Sequence, residues 1–243
     1  MEAAMTLQDV VVRGGDLVRV FDADPDLLGG LDPRTTDLLR HRAVAPKLWI
    51  EAGQWTPPIC AEQQNWFGLL VLDGLIVRSV QLEGRACPEL IGAGDVLRPW
   101  DCGSQDSGVG SVSWSALERS AVAVLDERFI VAVCRWPTIM VELLARAVQR
   151  SHTLAFQLAI VHVRHAESRL RMLLWHLADR WGRVTREGIH LPLALTHETL
   201  AHLVCMRRPT ASTALQRLIR NGELERRRDS TWLLKGNPGR LLA

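Results

Sequence analysis

The sequence predicts an α+β protein: an N-terminal antiparallel β-roll of the jelly-roll type, a long dimerisation helix, and a C-terminal winged helix-turn-helix. Three observations predict it. Short apolar runs cut by turn signals fill residues 46–125. Apolar residues then recur at alternating steps of four and three from Pro137 onward. Finally, two short capped helices and a basic hairpin follow Leu195. The expected division is 1–136 for the roll, 137–181 for the dimerisation and hinge helices, and 182–243 for the winged module. A length of 243 residues suits two domains and a connecting helix better than one core.

The first residues, MEAAMTLQDVVVRGGD, lack a basic start followed by an apolar stretch, and no apolar run is long enough to span a bilayer. A cytoplasmic protein is the expectation. Asp32-Pro33 reads as an N-cap and first turn of a helix ending near His41. The strand candidates are Leu48–Ile50, Gly68–Leu72, Leu75–Val80, Glu89–Ile91, Val112–Trp114 and Ala121–Leu125. Asp73-Gly74 between two of them is a hairpin signal, and Glu83-Gly84 and Gly92–Asp95 are further turns. Six tryptophans, Trp49, Trp55, Trp66, Trp100, Trp114 and Trp136, either fill the roll or line an apolar pocket in it. The Gly/Ser-rich Cys102–Ser113 stretch reads as a loop.

From Pro137 the period becomes helical. Met140, Leu144, Ala147, Ser151, Leu154, Leu158, Val161 and His165 form an a/d seam, the pattern of a two-stranded coiled coil. A homodimer is therefore expected; packing of this helix on its own roll is the alternative. A break near Arg164–Glu167 should start a second helix, Ala166–Trp181, facing inward through Leu170, Leu173, Leu174, Leu177 and Ala178. His162, His165 and His176 are candidate metal or haem ligands, and His162 and His165 stand three apart, which is ligand spacing, but with no carboxylate or cysteine predictably beside them no metal is expected.

The segment LTHETLAHLVCMRRPTASTALQRLIRNG, Leu195–Gly222, reads as two helices with a turn between them. Thr196 is an N-cap with Glu198 in the first turn. Leu200, Leu203 and Val204 form the buried stripe of the first helix. Pro209 favours a helix start at Arg208, and Asn221-Gly222 stops it. Ala211, Ala214, Leu215, Leu218 and Ile219 should be its buried face. Leu224–Arg227 and Thr231–Leu234 flank a turn and form the wing. Residues 196–243 carry nine Lys/Arg against four Asp/Glu, while the rest carries twenty against twenty-three. A basic module on a mildly acidic body is the footprint of phosphate binding. The second helix then enters the major groove, with Arg208, Ser212 and Thr213 reading bases. Thr196, Thr210, Arg217, Arg226, Arg227 and Arg228 hold phosphates.

This segment resembles the winged helix-turn-helix of the Crp/Fnr family of bacterial transcription regulators. The resemblance rests on Leu195-Thr196, Leu200-Ala201, Arg208–Ser212, Leu215, Leu218, Gly222–Leu224 and the wing. It extends to the order of elements, and the Val71–Gly74 and Gly94-Asp95 turns are similar to the family's. It implies a dimer on an inverted-repeat operator in double-stranded DNA, with RNA polymerase as a further partner. Pro209 stands where cyclic-AMP-responsive members often carry a glutamate, which implies a different operator.

The family's cyclic-nucleotide cassette, a Gly-Glu pair followed by an arginine and a small hydroxyl residue, is missing from Leu97–Gly110. Arg98 reads as a surface arginine, and Arg119-Ser120-Ala121 lies too far along the chain. Leu154 and Ala155 fall where such members place hydroxyl side chains. No cyclic-nucleotide response is therefore expected, and any small-molecule effector stays unidentified. Cys60, Cys87, Cys102, Cys134 and Cys205 include no C-x-x-C pair and no N-terminal group, so no iron–sulfur cluster or other cofactor is expected. The roll also invites a cupin reading, but no histidine lies between Arg42 and Ser151 to build a cupin metal site. No catalytic motif stands out, so an enzyme is not expected. Two other classes share these elements: a ligand-sensing β-roll whose basic module binds a protein, and a cupin-like enzyme.

Overall fold

The computed structural model describes residues 16–57, 65–83, 85–101 and 110–236. Cys60, Cys102 and residues 102–109 of the Gly/Ser-rich stretch lie outside them. The chain divides into two compact units, Met1–His152 and Thr153–Ala243.

The first unit contains β1 (Leu17–Arg19), α1 (Val20–Ala23), α2 (Pro33–Arg42), β2 (Val44–Ile50), β3 (Gly53–Trp55), β4 (Gly68–Asp73), β5 (Leu75–Leu82), β6 (Arg85–Gly92), β7 (Val96–Leu97), β8 (Ser111–Ala116), β9 (Ser120–Leu125) and α3 (Glu127–Val133). It also holds the start of α4 (Pro137–Val161), which continues past the division between the units. One sheet has the order β1-β2-β9-β4-β7 and the other β3-β8-β5-β6, with every pairing antiparallel.

The alternation of side chains along β4 and β9 explains the layering. Leu69, Val71, Val122 and Val124 point to one core with Ile50, Ile76, Ile91, Leu97 and Trp114. Leu70, Ala123 and Leu125 point the other way, to a core with Phe21, Leu39, Phe129, Ile139 and Leu143 from the helices. Strand β9 is thus buried on both faces, and its SAVAVL sequence has no exposed residue. Helix starts are fixed by side-chain caps. Asp32 Oδ1 accepts from the Arg34 and Thr35 amides, and Asp126 Oδ1 accepts from Phe129.

Asp73-Gly74 is not a hairpin. Strands β4 and β5 belong to different sheets, so the pair carries the chain from one layer to the other. Gly74 makes this possible with φ +86°, and an added Cβ there would lie 2.3 Å from Ser120 Oγ. Two adjacent apolar runs with a turn between them look alike in both cases. The paired neighbours are β5 and β6, with Leu82 opposite Arg85; Gly84 of the expected Glu83-Gly84 turn lies outside the described residues. Gly92–Asp95 is a turn in which Asp95 Oδ2 accepts from the Gly92 amide.

Four tryptophans pack into the inter-sheet core. Trp55 meets Trp114 edge-on across β3 and β8 at 5.8 Å, and Trp66 meets Trp100 edge-on at 6.2 Å. Trp136 packs on the helical side. Trp49 is exposed between Lys47 and Arg119, which lie 3.9 and 4.0 Å from its ring.

The first half of α4 is tied to this unit by Ile139 and Leu143 and by two arginines one turn apart. Arg146 makes a paired contact with Asp24 and also donates to the Gly94 carbonyl. Arg150 makes a paired contact with Glu89, which is 4% exposed and also faces Arg78 at 3.5 Å. Removing one partner of such a buried set strands the others. Glu89→Ala should therefore cost about 3–5 kcal/mol in urea unfolding of the protein. Loss of the exposed Asp22, which pairs with Arg19 and Arg40, should cost no more than about 1 kcal/mol.

Candidate nucleic-acid interface

The second unit begins within α4 and continues through α5 (Ala166–Trp181), β10 (Arg183–Val184), β11 (Ile189–Leu191), α6 (His197–Leu203), α7 (Arg208–Arg220), β12 (Leu224–Arg226) and β13 (Trp232–Leu234). Helix α5 buries Leu170, Leu173, Leu174, Leu177 and Ala178. The four strands form an antiparallel sheet in the order β10-β11-β13-β12, so the wing hairpin is half of a larger sheet.

Helix α6 is capped by Thr196, whose hydroxyl accepts from the Thr199 amide. Helix α7 begins with Arg208 and Pro209 and ends at Asn221, with Gly222 at φ +74°. It buries Ala211, Ala214, Leu215 and Leu218. Ile219 is 36% exposed, a correction to the expected buried face: the buried stripe is narrower than its apolar residues suggest.

The turn between α6 and α7 is held from two sides. Gln157 of α4 donates to the Leu203 carbonyl at 3.0 Å. Arg169 of α5 donates to the Val204 carbonyl at 3.1 Å and twice to the Val163 carbonyl. Neither residue was singled out from sequence, because the partners are backbone carbonyls. Below the turn, Trp232 is fully buried and donates its indole N–H to the Leu195 carbonyl. Arg171 and Glu223 form a two-pronged ion pair at 2.6 and 2.9 Å, which holds Glu223 below the usual carboxylate range.

The singled-out residues fall into distinct environments. Arg208 and Thr210 are exposed on the first turn of α7, and Arg208 makes no ion pair among the described residues. Ser212 is half-buried, with Oγ 3.2 Å from His197 Nδ1. The exposed Thr213 donates its hydroxyl to the Pro209 carbonyl, leaving its methyl and lone pairs for other contacts. Arg217 pairs with Glu167 at 3.0 Å beside a groove of about 670 Å³ between α5 and α7. Arg227 pairs with Glu187. Arg226 lies over the Trp232 ring and reaches Ser230, and Arg228 is exposed.

On the long helix, α4 ends at Val161 and His165 is the N-cap position of α5, so His162 and His165 do not share a helix. His165 therefore leaves the a/d series. Leu144, Ser151 and Leu158 are exposed, while Met140, Ala147, Leu154 and Val161 are half-buried. The outward stripe takes Val141, Val148 and Ala155 in place of Met140, Ala147 and Leu154, because Met140 packs on the unit's own core.

No helix among the described residues is long and apolar enough to cross a membrane. Residues 168–236 match the family model of the Crp-like helix-turn-helix domain. In fold, the chain is similar to a CooA mutant from Carboxydothermus hydrogenoformans, with 21% identity and TM-score 0.57, covering 82% of this chain and 86% of that one. It is similar to a cyclic nucleotide-binding domain containing protein from Listeria monocytogenes, with 16% identity and TM-score 0.63, covering 79% and 89%. It is similar to FixK2 from Bradyrhizobium japonicum, with 17% identity and TM-score 0.57, covering 82% and 96%. No curated protein matches in sequence.

Two histidines of this unit sit below the ordinary histidine range. Burial lowers His176, which stacks on Phe156, and burial followed by Arg226 and Arg208 lowers His197. The folded form then binds protons less readily than the unfolded chain. The stability they contribute is present above the ordinary value of 6.5 and is lost as pH falls through the depressed folded values. The melting temperature should drop on acidification from pH 7.5 to 5.0, and replacing both histidines with Gln should flatten that drop.

Proposed function

We propose that this chain, whose residues 168–236 match the model of the Crp-like helix-turn-helix domain, is a dimeric, sequence-specific DNA-binding transcription regulator of the Crp/Fnr type without a cyclic-nucleotide response. The observation that carries the reading is the first turn of α7. There Arg208 stands exposed and without an ion pair among the described residues, while Arg217 and Arg227 of the same unit are paired. A guanidinium at the leading end of a recognition helix can donate two parallel hydrogen bonds to guanine O6 and N7. Ser212 and Thr213 follow within the next turn as the other base readers. Thr196, Thr210, Arg217 and Arg226–Arg228 supply phosphate contacts, for which Arg217 and Arg227 exchange their carboxylate partners.

The dimer reading rests on α4, where Val141, Leu144, Val148 and Leu158 are 47–64% exposed at steps that place them on one stripe. An uncovered apolar stripe on a helix of 25 residues suits a second copy of the same helix. Two observations speak against a cyclic nucleotide. Arg98 donates to the Trp66 and Phe67 carbonyls, and Arg119 is engaged by Glu51 and Trp49, so neither is poised for a phosphate. Trp55, Trp66, Trp100 and Trp114 occupy the inter-sheet core.

Arg208→Ala should cost about 1–3 kcal/mol in fluorescence-anisotropy titrations and relax preference at one base pair per half-site. Arg228→Ala should weaken all sequences alike and lower the salt slope by about one. Unchanged affinity and preference on losing Arg208 would overturn this register of the helix. Leu144→Asp with Leu158→Asp should turn a dimer into monomers in sedimentation, and a monomeric wild type at micromolar concentration would contradict the dimer.

A further inference from the structure

We propose that His197 is a positioning residue for base recognition, setting through its Nδ1 whether the Ser212 hydroxyl offers the major groove an acceptor or a donor. The proposal rests on the reading of α7 as the recognition helix. His197 opens α6, and its Nδ1 lies 3.2 Å from Ser212 Oγ. The ring is not free to wander: it lies on the indole of Trp232, with centroids 6.0 Å apart and planes 31° apart. Trp232 in turn is fully buried and anchored by its hydrogen bond to Leu195.

A serine hydroxyl has one hydrogen and two lone pairs. In the neutral ring with its proton on Nε2, Ser212 donates to Nδ1. Only lone pairs then face a base, and they suit the exocyclic amines of adenine N6 or cytosine N4. In the cationic ring both nitrogens donate, so Nδ1–H points at Oγ and the hydroxyl hydrogen turns outward. Ser212 then suits guanine O6 and N7, adenine N7 or thymine O4. The charged groups facing His197 are Arg208 on α7 and Arg226 on β12; Ser212 and Trp232 are its neutral contacts. Burial, and then the two cations, favour the neutral ring near neutral pH, and with its proton on Nε2 that ring sets the acceptor mode.

The test is selection of bound duplexes from a random pool by the full chain at pH 7.5, comparing wild type, His197→Ala, Ser212→Ala, the double variant and Arg208→Ala. Melting curves establish that each is folded; if His197→Ala is not, His197→Gln replaces it. His197→Ala and Ser212→Ala should each flatten preference about tenfold at the same base pair of each half-site. The double variant should do no more than either single one. The salt slope and the base read by Arg208 should be unchanged. His197→Lys, which can only donate, should move the wild-type preference at that pair from an amine-bearing base toward acceptor edges. A His197→Ala effect that persists in the Ser212→Ala background overturns the proposal. So does a uniform loss across sequences with a smaller salt slope, which marks a phosphate contact. If Ser212→Ala leaves preference intact while Arg208→Ala relaxes it, the proposal fails and the recognition helix stands. If neither changes preference, both fail.

Discussion

The carbonyls of Leu203 and Val204 are the constraint on which the C-terminal unit depends. A helix of seven residues leaves its last carbonyls without partners of its own, and here the chain must also turn at once into α7. Gln157 and Arg169 satisfy them from α4 and from the start of α5. The same Arg169 guanidinium closes on Val163, in the connection between those two helices. One planar group with five donors thus ties the hinge to the helix-turn-helix. Because the backbone polar groups of the turn are satisfied from these positions, α7 cannot shift far against α5 without stranding buried carbonyls. The recognition helix is therefore presented by the end of the long helix as well as by its own sheet.

Charge is divided in a way that follows from this packing. Glu223 and Glu167, which lie nearest the helix supports, are taken up by Arg171 and Arg217. Glu187 takes Arg227, and Glu225 takes Lys235. The acidic residues of the module are thereby largely spent in internal pairs, leaving exposed guanidinium groups at Arg208, Arg220 and Arg228. Such a surface has positive potential where the leading end of α7 and the wing lie, which suits a phosphate backbone. In the N-terminal unit the arginines work the other way. Arg146 and Arg150 are turned inward to Asp24 and Glu89 and secure α4 to the roll.

Much of this was legible in the residues. The caps at Asp32 and Thr196, the proline at the start of α7 and the stop at Asn221-Gly222 mark their elements because they act through local backbone groups. The apolar runs of β4 and β9 were equally visible. The sheet partners were not: whether Asp73-Gly74 joins paired strands or crosses between sheets depends on Ser120 and on strands far along the chain. The long helix misled for a related reason. It has apolar residues on two faces, one for its own roll through Ile139 and Leu143 and one left open, and periodicity alone does not say which is which. Gln157, Arg169 and His197 were not singled out because their partners are backbone carbonyls and a hydroxyl, groups that leave no pattern in sequence. The short strands β10 and β11 carry too few residues to signal a sheet of their own.

In the proposed complex, two copies of this chain present two α7 helices to one duplex. The most direct measurement is the sequence of the DNA that the wild-type chain enriches from a random pool, together with the number of chains bound per duplex. The expected sequence is an inverted repeat whose half-sites are about one helical turn apart, bound by two chains. Enrichment of a single unrepeated site bound by one chain, or no enrichment over the input pool, would contradict it.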